Sequence, residues 1–96
     1  MAQSQASSTV RIENERVRVT EWRLSPGGAT GYHRHEYDYM VVPLTDGKLT
    51  LTGPEGGRTV ADLAAGQPYF RNSGVEHDVQ NTGASEIVFV EIELKR

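Results

Sequence analysis

Hydrophobic and polar residues alternate along most of this chain with a period of two. Side chains at i and i+2 of a strand share a face, so this period predicts half-buried β-strands. Over residues 16–24, Val17, Val19, Glu21 and Arg23 fall on one face, and Arg18, Thr20, Trp22 and Leu24 on the other. Residues 86–94 carry the longest and most apolar alternation, with Val88, Val90, Ile92 and Leu94 against Ile87, Phe89, Glu91 and Glu93. Residues 48–52 set Leu49 and Leu51 on one face, and shorter strands are predicted over residues 9–12, 58–63 and 67–71 and around His77. Turn-forming clusters separate these runs: Ser25-Pro26-Gly27-Gly28, Gly53-Pro54-Glu55-Gly56-Gly57, Ala64-Ala65-Gly66, Asn72-Ser73-Gly74 and Thr82-Gly83. Asp46-Gly47 predicts a two-residue hairpin. About eight strands, short regular turn spacing and no helix predict an all-β sandwich or small barrel.

Length adds that the barrel is a single domain, read as residues 9–96 after a small polar arm over residues 1–8. That arm is expected to be disordered or to dock on a partner subunit. Net charge is −3 with acids and bases interleaved, so no basic stripe points to nucleic acid. No apolar run has the length of a membrane span, and the N-terminus has no signal-peptide pattern, so a cytoplasmic location is expected. The chain has no cysteine, which removes disulfides and any cysteine nucleophile.

The candidate chemistry lies in residues 31–42. As a strand, this stretch places His33, His35, Tyr37, Tyr39 and Val41 on one face, and Arg34, Glu36, Asp38 and Met40 on the other. It ends near Pro43, which cannot donate to a central ladder. Neutral imidazole is the commonest side-chain ligand for Zn, Fe, Ni and Cu, so two histidines on one face form a candidate half-site. A neighbouring antiparallel strand can bring His77, the remaining histidine, beside them and leave coordination positions open. Taken alone, the pair is also consistent with a polar surface and His77 with a turn cap.

The spacing around all three histidines resembles the cupin superfamily. Its first motif reads G-x5-H-x-H-x3-4-E-x6-G, which His33, His35 and Gly47 match, with Gly27 or Gly28 ahead. Its second reads G-x5-P-x-G-x2-H-x3-N, and Gly66, Gly74, His77 and Asn81 meet it, with Asn72 in place of the proline. The resemblance covers roughly residues 22–94 and is closest to small single-domain bacterial cupins, among them those of β-alanine degradation. It implies a double-stranded β-helix, or jelly-roll barrel. It implies one divalent transition metal inside, held by His33, His35 and His77. Iron leads, with Zn, Ni, Mn and Cu as alternatives. It also implies a small-molecule ligand and a homodimer. The apolar breadth of residues 86–94 points to the same pairing.

One departure stands out. The glutamate that many cupins use as a fourth ligand is replaced by Tyr39 or Met40, and strand parity favours Tyr39. Tyr39 is therefore expected near the metal without being a tight ligand, and Arg71 is a candidate clamp for a substrate carboxylate. An equal alternative for Arg71 is a solvent-facing strand position. Glu91 is expected either to meet a partner or to sit at the barrel mouth, and Trp22 to belong to the core or a subunit interface. Protons are expected to compete with the metal near pH 6 to 7. The leading reading is an oxygenase-like, metal-dependent enzyme acting on a small organic acid or thiol. The alternative is a non-catalytic cupin that binds or senses a small ligand. A metal-free isomerase using His35 or His77 as base is a third class.

Overall fold

The alternating runs all fold as strands. The computed structural model describes residues 5–95, and no helix occurs among them. Nine strands follow in order: β1 (Ser7–Glu13), β2 (Val17–Leu24), β3 (His33–Arg34), β4 (Asp38–Pro43), β5 (Gly47–Thr52), β6 (Arg58–Leu63), β7 (Tyr69–Arg71), β8 (Glu76–Asn81) and β9 (Ile87–Leu94). They form two antiparallel sheets that face each other, ordered β1-β2-β9-β4-β7 and β3-β8-β5-β6. This is the expected double-stranded β-helix. The apolar inner positions of both sheets meet between them, where Leu24, Tyr39, Val41, Leu49, Leu63, Val79, Ile87 and Phe89 form one buried cluster. β1 starts at Ser7, and Gln5 bridges to Ala29, so the described part of the expected arm runs along the barrel. Residues 1–4 of that arm lie outside the described residues.

Two local expectations are corrected. Residues 31–42 are not one strand. The chain leaves the four-stranded sheet after Arg34, bends through His35, Glu36 and Tyr37, and enters the five-stranded sheet at Asp38. The bend is held from outside: His35 N–H donates to the Val75 carbonyl at 2.9 Å, and Gly74 N–H donates to the His35 carbonyl at 2.8 Å. Gly74 does this at φ +93, a conformation that costs other residues about 1 kcal/mol or more. A barrel of this size closes only if strands switch sheets at such corners.

Asp46-Gly47 is likewise a crossing and not a two-residue hairpin. β4 pairs with β7 and β9, whereas β5 pairs with β6 and β8. Gly47 is needed for close approach. A Cβ there would stand 2.7 Å from the Ile87 side chain, in the most buried part of the core. Asp46 caps the crossing by accepting the Ala65 N–H at 2.8 Å.

Candidate functional site

Asn81 secures the strand that carries the third histidine. It is fully buried, and its Nδ2 donates to the carbonyls of Leu24 (2.9 Å) and Ser85 (2.8 Å) while its Oδ1 accepts the Gly83 N–H (3.0 Å). Its backbone also pairs with both Gly27 and Gly28. One amide therefore ties the end of β8 to the turns after β2 and before β9. In sequence this residue was visible only as a motif position; its load comes from burial.

β8 then sets His77 directly opposite His33 in the antiparallel register. His35 arrives from the bend. The three side chains converge: Nε2 of His33 lies 3.1 Å from Nε2 of His35, and Nε2 of His35 lies 3.1 Å from Nε2 of His77. Metal–nitrogen bonds of about 2.0–2.1 Å on adjacent positions hold neighbouring nitrogens roughly 3.0–3.4 Å apart. The His33–His35 and His35–His77 separations fall in that range, and the three ligand atoms together lie within 4.8 Å of one another. Three imidazole nitrogens so close cannot all carry protons, which suits a lone-pair cluster around a cation. Among the described residues, no carboxylate joins the cluster.

The tautomer of His33 follows from its partner. Its Nδ1 lies 2.8 Å from the Gly31 carbonyl, which can only accept, so Nδ1 carries the proton and Nε2 faces the cluster with its lone pair. Burial is the first cause that pushes His35 and His77 down to about 4, and the neighbouring histidines add to it. Both imidazoles are therefore neutral at pH 7.

Tyr39 sits where parity placed it. Its ring stacks on His35 with centroids 3.8 Å apart and 17° between planes. Burial, then the nearby Tyr69 and Glu91, raise its pKa far above the ordinary tyrosine value, so the phenol keeps its proton. Arg71, the register partner of Tyr39, is exposed at the cavity rim. Its Nη1 donates to the Phe70 carbonyl at 2.8 Å, and its guanidinium lies 4.6 Å from the Tyr69 ring centroid. Glu36 is exposed at the same rim, and Asp38 turns away to accept the Ser73 N–H at 2.8 Å.

These groups open on a cavity of about 550 Å³ between the two sheets, within the size of small-molecule sites. Its floor is apolar, from Val41, Leu49, Leu51, Val79 and Phe89. Glu91 is half-buried and lines this cavity from β9. Trp22, expected in the core or an interface, packs against the core and also lines the cavity. The signal for it was present: Trp22 shares the face of Thr20 and Leu24, both buried.

The chain is similar in sequence and fold to known proteins. The chain is 60% identical over 91 residues to β-alanine degradation protein BauB of Pseudomonas aeruginosa, covering 95% of each chain. It is 29% identical over 81 residues to an oxalate-binding protein of Thermotoga maritima, covering 84% of this chain and 64% of that protein. A crystal structure of a cupin domain from Bordetella pertussis superposes with a TM-score of 0.95 at 54% identity, over 100% of this chain and 99% of the other. The match to the cupin domain itself runs over residues 20–93, from within β2 almost to the end of β9, and the chain therefore belongs to the cupin family.

Proposed function

We propose that this cupin is a metal-dependent, oxygenase-like enzyme acting on a small organic acid or thiol, with one divalent metal held by His33, His35 and His77. The observation that carries the reading is the all-imidazole cluster, with Nε2 of His35 3.1 Å from Nε2 of both His33 and His77, opening on a ligand-sized cavity. A metal bound there supplies Lewis acidity at undiminished positive charge and, as iron, a route to O₂ chemistry. The protein's own groups do the rest. Tyr39 offers a protonated hydroxyl beside His35, Arg71 offers a bidentate donor at the rim for a carboxylate, and the apolar floor excludes water. The small organic acid is supported by the names of the two relatives, one of β-alanine degradation and one of oxalate binding.

The second name also favours a non-catalytic binder as the alternative. The two readings separate on purification without added metal, followed by metal analysis and oxygen uptake with a panel of small carboxylic acids and thiols. Stoichiometric iron and substrate-dependent oxygen uptake are expected. Full metal occupancy with ligand binding but no turnover would leave the binder.

We also infer that a second copy covers the outer face of the five-stranded sheet. Ile12, Val19, Ile92, Met40 and Phe70 are register partners in one apolar row that crosses all five strands. Ile12 and Phe70, at its two ends, are 52% and 47% exposed.

A further inference from the structure

Glu91 is a half-buried carboxylate with no ion-pair partner among the described residues. It projects from β9 into the cavity, on the sheet that faces His33 and His77. Arg18, the basic group on the adjacent strand, is taken by Glu13 at 2.9 Å and Glu93 at 3.5 Å. Arg71 turns to its own backbone and to Tyr69. What approaches Glu91 is the Trp22 indole N–H, a neutral donor that is buried without a partner in hydrogen-bonding geometry. Aromatic rings of Trp22, Tyr39, Tyr69 and Phe89 line the cavity around it.

We propose that Glu91, with these rings, forms a cation subsite in the cavity, and that the ligand carries an ammonium group. An unpaired, half-buried carboxylate is stabilised most by a positive charge, and aromatic rings add cation–π attraction. A ligand carboxylate at this spot meets Glu91 and Glu93 together and is repelled. A hydroxyl satisfies a hydrogen bond but leaves the half-buried charge uncompensated. The charged and titratable groups that line the cavity with Glu91 are Glu93 on β9, Arg18 on β2, Tyr39 on β4, Tyr69 and Arg71 on β7, His33 and Arg34 on β3, His77 on β8, and His35, Glu36 and Tyr37 of the bend. Burial first, and Glu93 next, push the Glu91 carboxyl up to about 7. At neutral pH an arriving cation therefore drives off a proton.

The proposal rests on the cavity being the ligand site, not on the metal. The probe is n-butylammonium, with n-butanol and butyrate as matched shapes. Each is titrated into the purified full chain at pH 7 by calorimetry, in two buffers of different ionisation enthalpy. Trp22 is the chain's only tryptophan, so its indole N–H signal in NMR reports the site directly. Butylammonium is expected to bind at least about tenfold tighter than the other two, to release protons and to move the Trp22 signal. Glu91→Gln is expected to erase that preference, and Glu91→Asp, which keeps the charge, to retain it. Butyrate binding with proton uptake, equal binding of all three, or a preference that survives Glu91→Gln overturns the proposal. Repeating the titration after chelation, and with His77→Ala, separates it from the metal reading: the ammonium preference is expected to persist when metal is lost.

Discussion

At the scale of single residues, the histidines and Tyr39 make opposite predictions. His77 supplies one of three converging nitrogens but is not part of the buried apolar cluster. His77→Ala is expected to lose most bound metal while the barrel stays folded, as measured by metal stoichiometry and thermal unfolding. Full metal occupancy in that variant would remove the three-histidine assignment. Tyr39→Phe keeps the ring that stacks on His35 and removes only a hydroxyl whose proton is firmly held. It is expected to retain the metal, and an emptied site would make the phenol a true ligand. The acid limb follows from His35 and His77. Their folded pKa values fall to about 4, from 6.5 for a free imidazole. A depressed imidazole pKa means that the folded state resists protonation, so protons displace metal only as pH falls toward that lowered value. Metal is expected to remain through dialysis at pH 6 and to leave near pH 4 to 5. Release already half complete at pH 6.5 would contradict the burial assigned to these rings.

At the scale of elements, the crossings between sheets hold the site together. Asn81 satisfies two carbonyls and one N–H with a single buried amide. Asn81→Ala leaves those groups without partners and is expected to cost on the order of 3 kcal/mol in urea unfolding. Gly47→Ala forces a methyl into the Ile87 side chain and is expected to cost about 1–3 kcal/mol. A wild-type midpoint for both would mean that these corners relax freely. The same crossings mark where the chain was legible in one dimension and where it was not. Period-two alternation located β2, β5 and β9 nearly to the residue, because each has one face in the core, whereas β6 was bounded by its turns and β8 was placed only around His77. It also put His33, His35 and Tyr39 on one side, and that survives the bend at residues 35–37. The bend itself was invisible, since it depends on Gly74 and Val75, which are distant in sequence. Asp46-Gly47 misled because its local turn chemistry is that of a hairpin, while the strands on either side are claimed by other partners. The core position expected for Trp22 holds, while its place on the cavity was not legible for a related reason. Facing inward does not tell whether a side chain meets the core or the cavity, and here it meets both.

At the scale of the whole molecule, the five-stranded sheet is apolar on both faces, which one core does not require. Inward, Thr20, Leu24, Tyr39, Val41 and Phe89 face the barrel. Outward, the row Ile12–Val19–Ile92–Met40–Phe70 is flanked by the register pairs Val17–Leu94 and Val90–Val42. Five strands at about 4.8 Å spacing make this stripe roughly 19 Å wide. Charged side chains occur toward the β1 edge, where Arg11 and Arg23 hold Glu21 at 3.3 and 3.0 Å. They leave the centre of the stripe uncharged, so water-exposed apolar area of this kind is expected to be buried against its own symmetry mate. Light scattering at micromolar concentration is expected to give twice the chain mass. Ile92→Lys places a charge at the middle of the row and is expected to give the single-chain mass without loss of strand content by circular dichroism. A wild-type monomer would refute the pairing. A dimer undisturbed by Ile92→Lys would move it to another face, the free edge of β6 being the alternative surface to probe by hydrogen exchange.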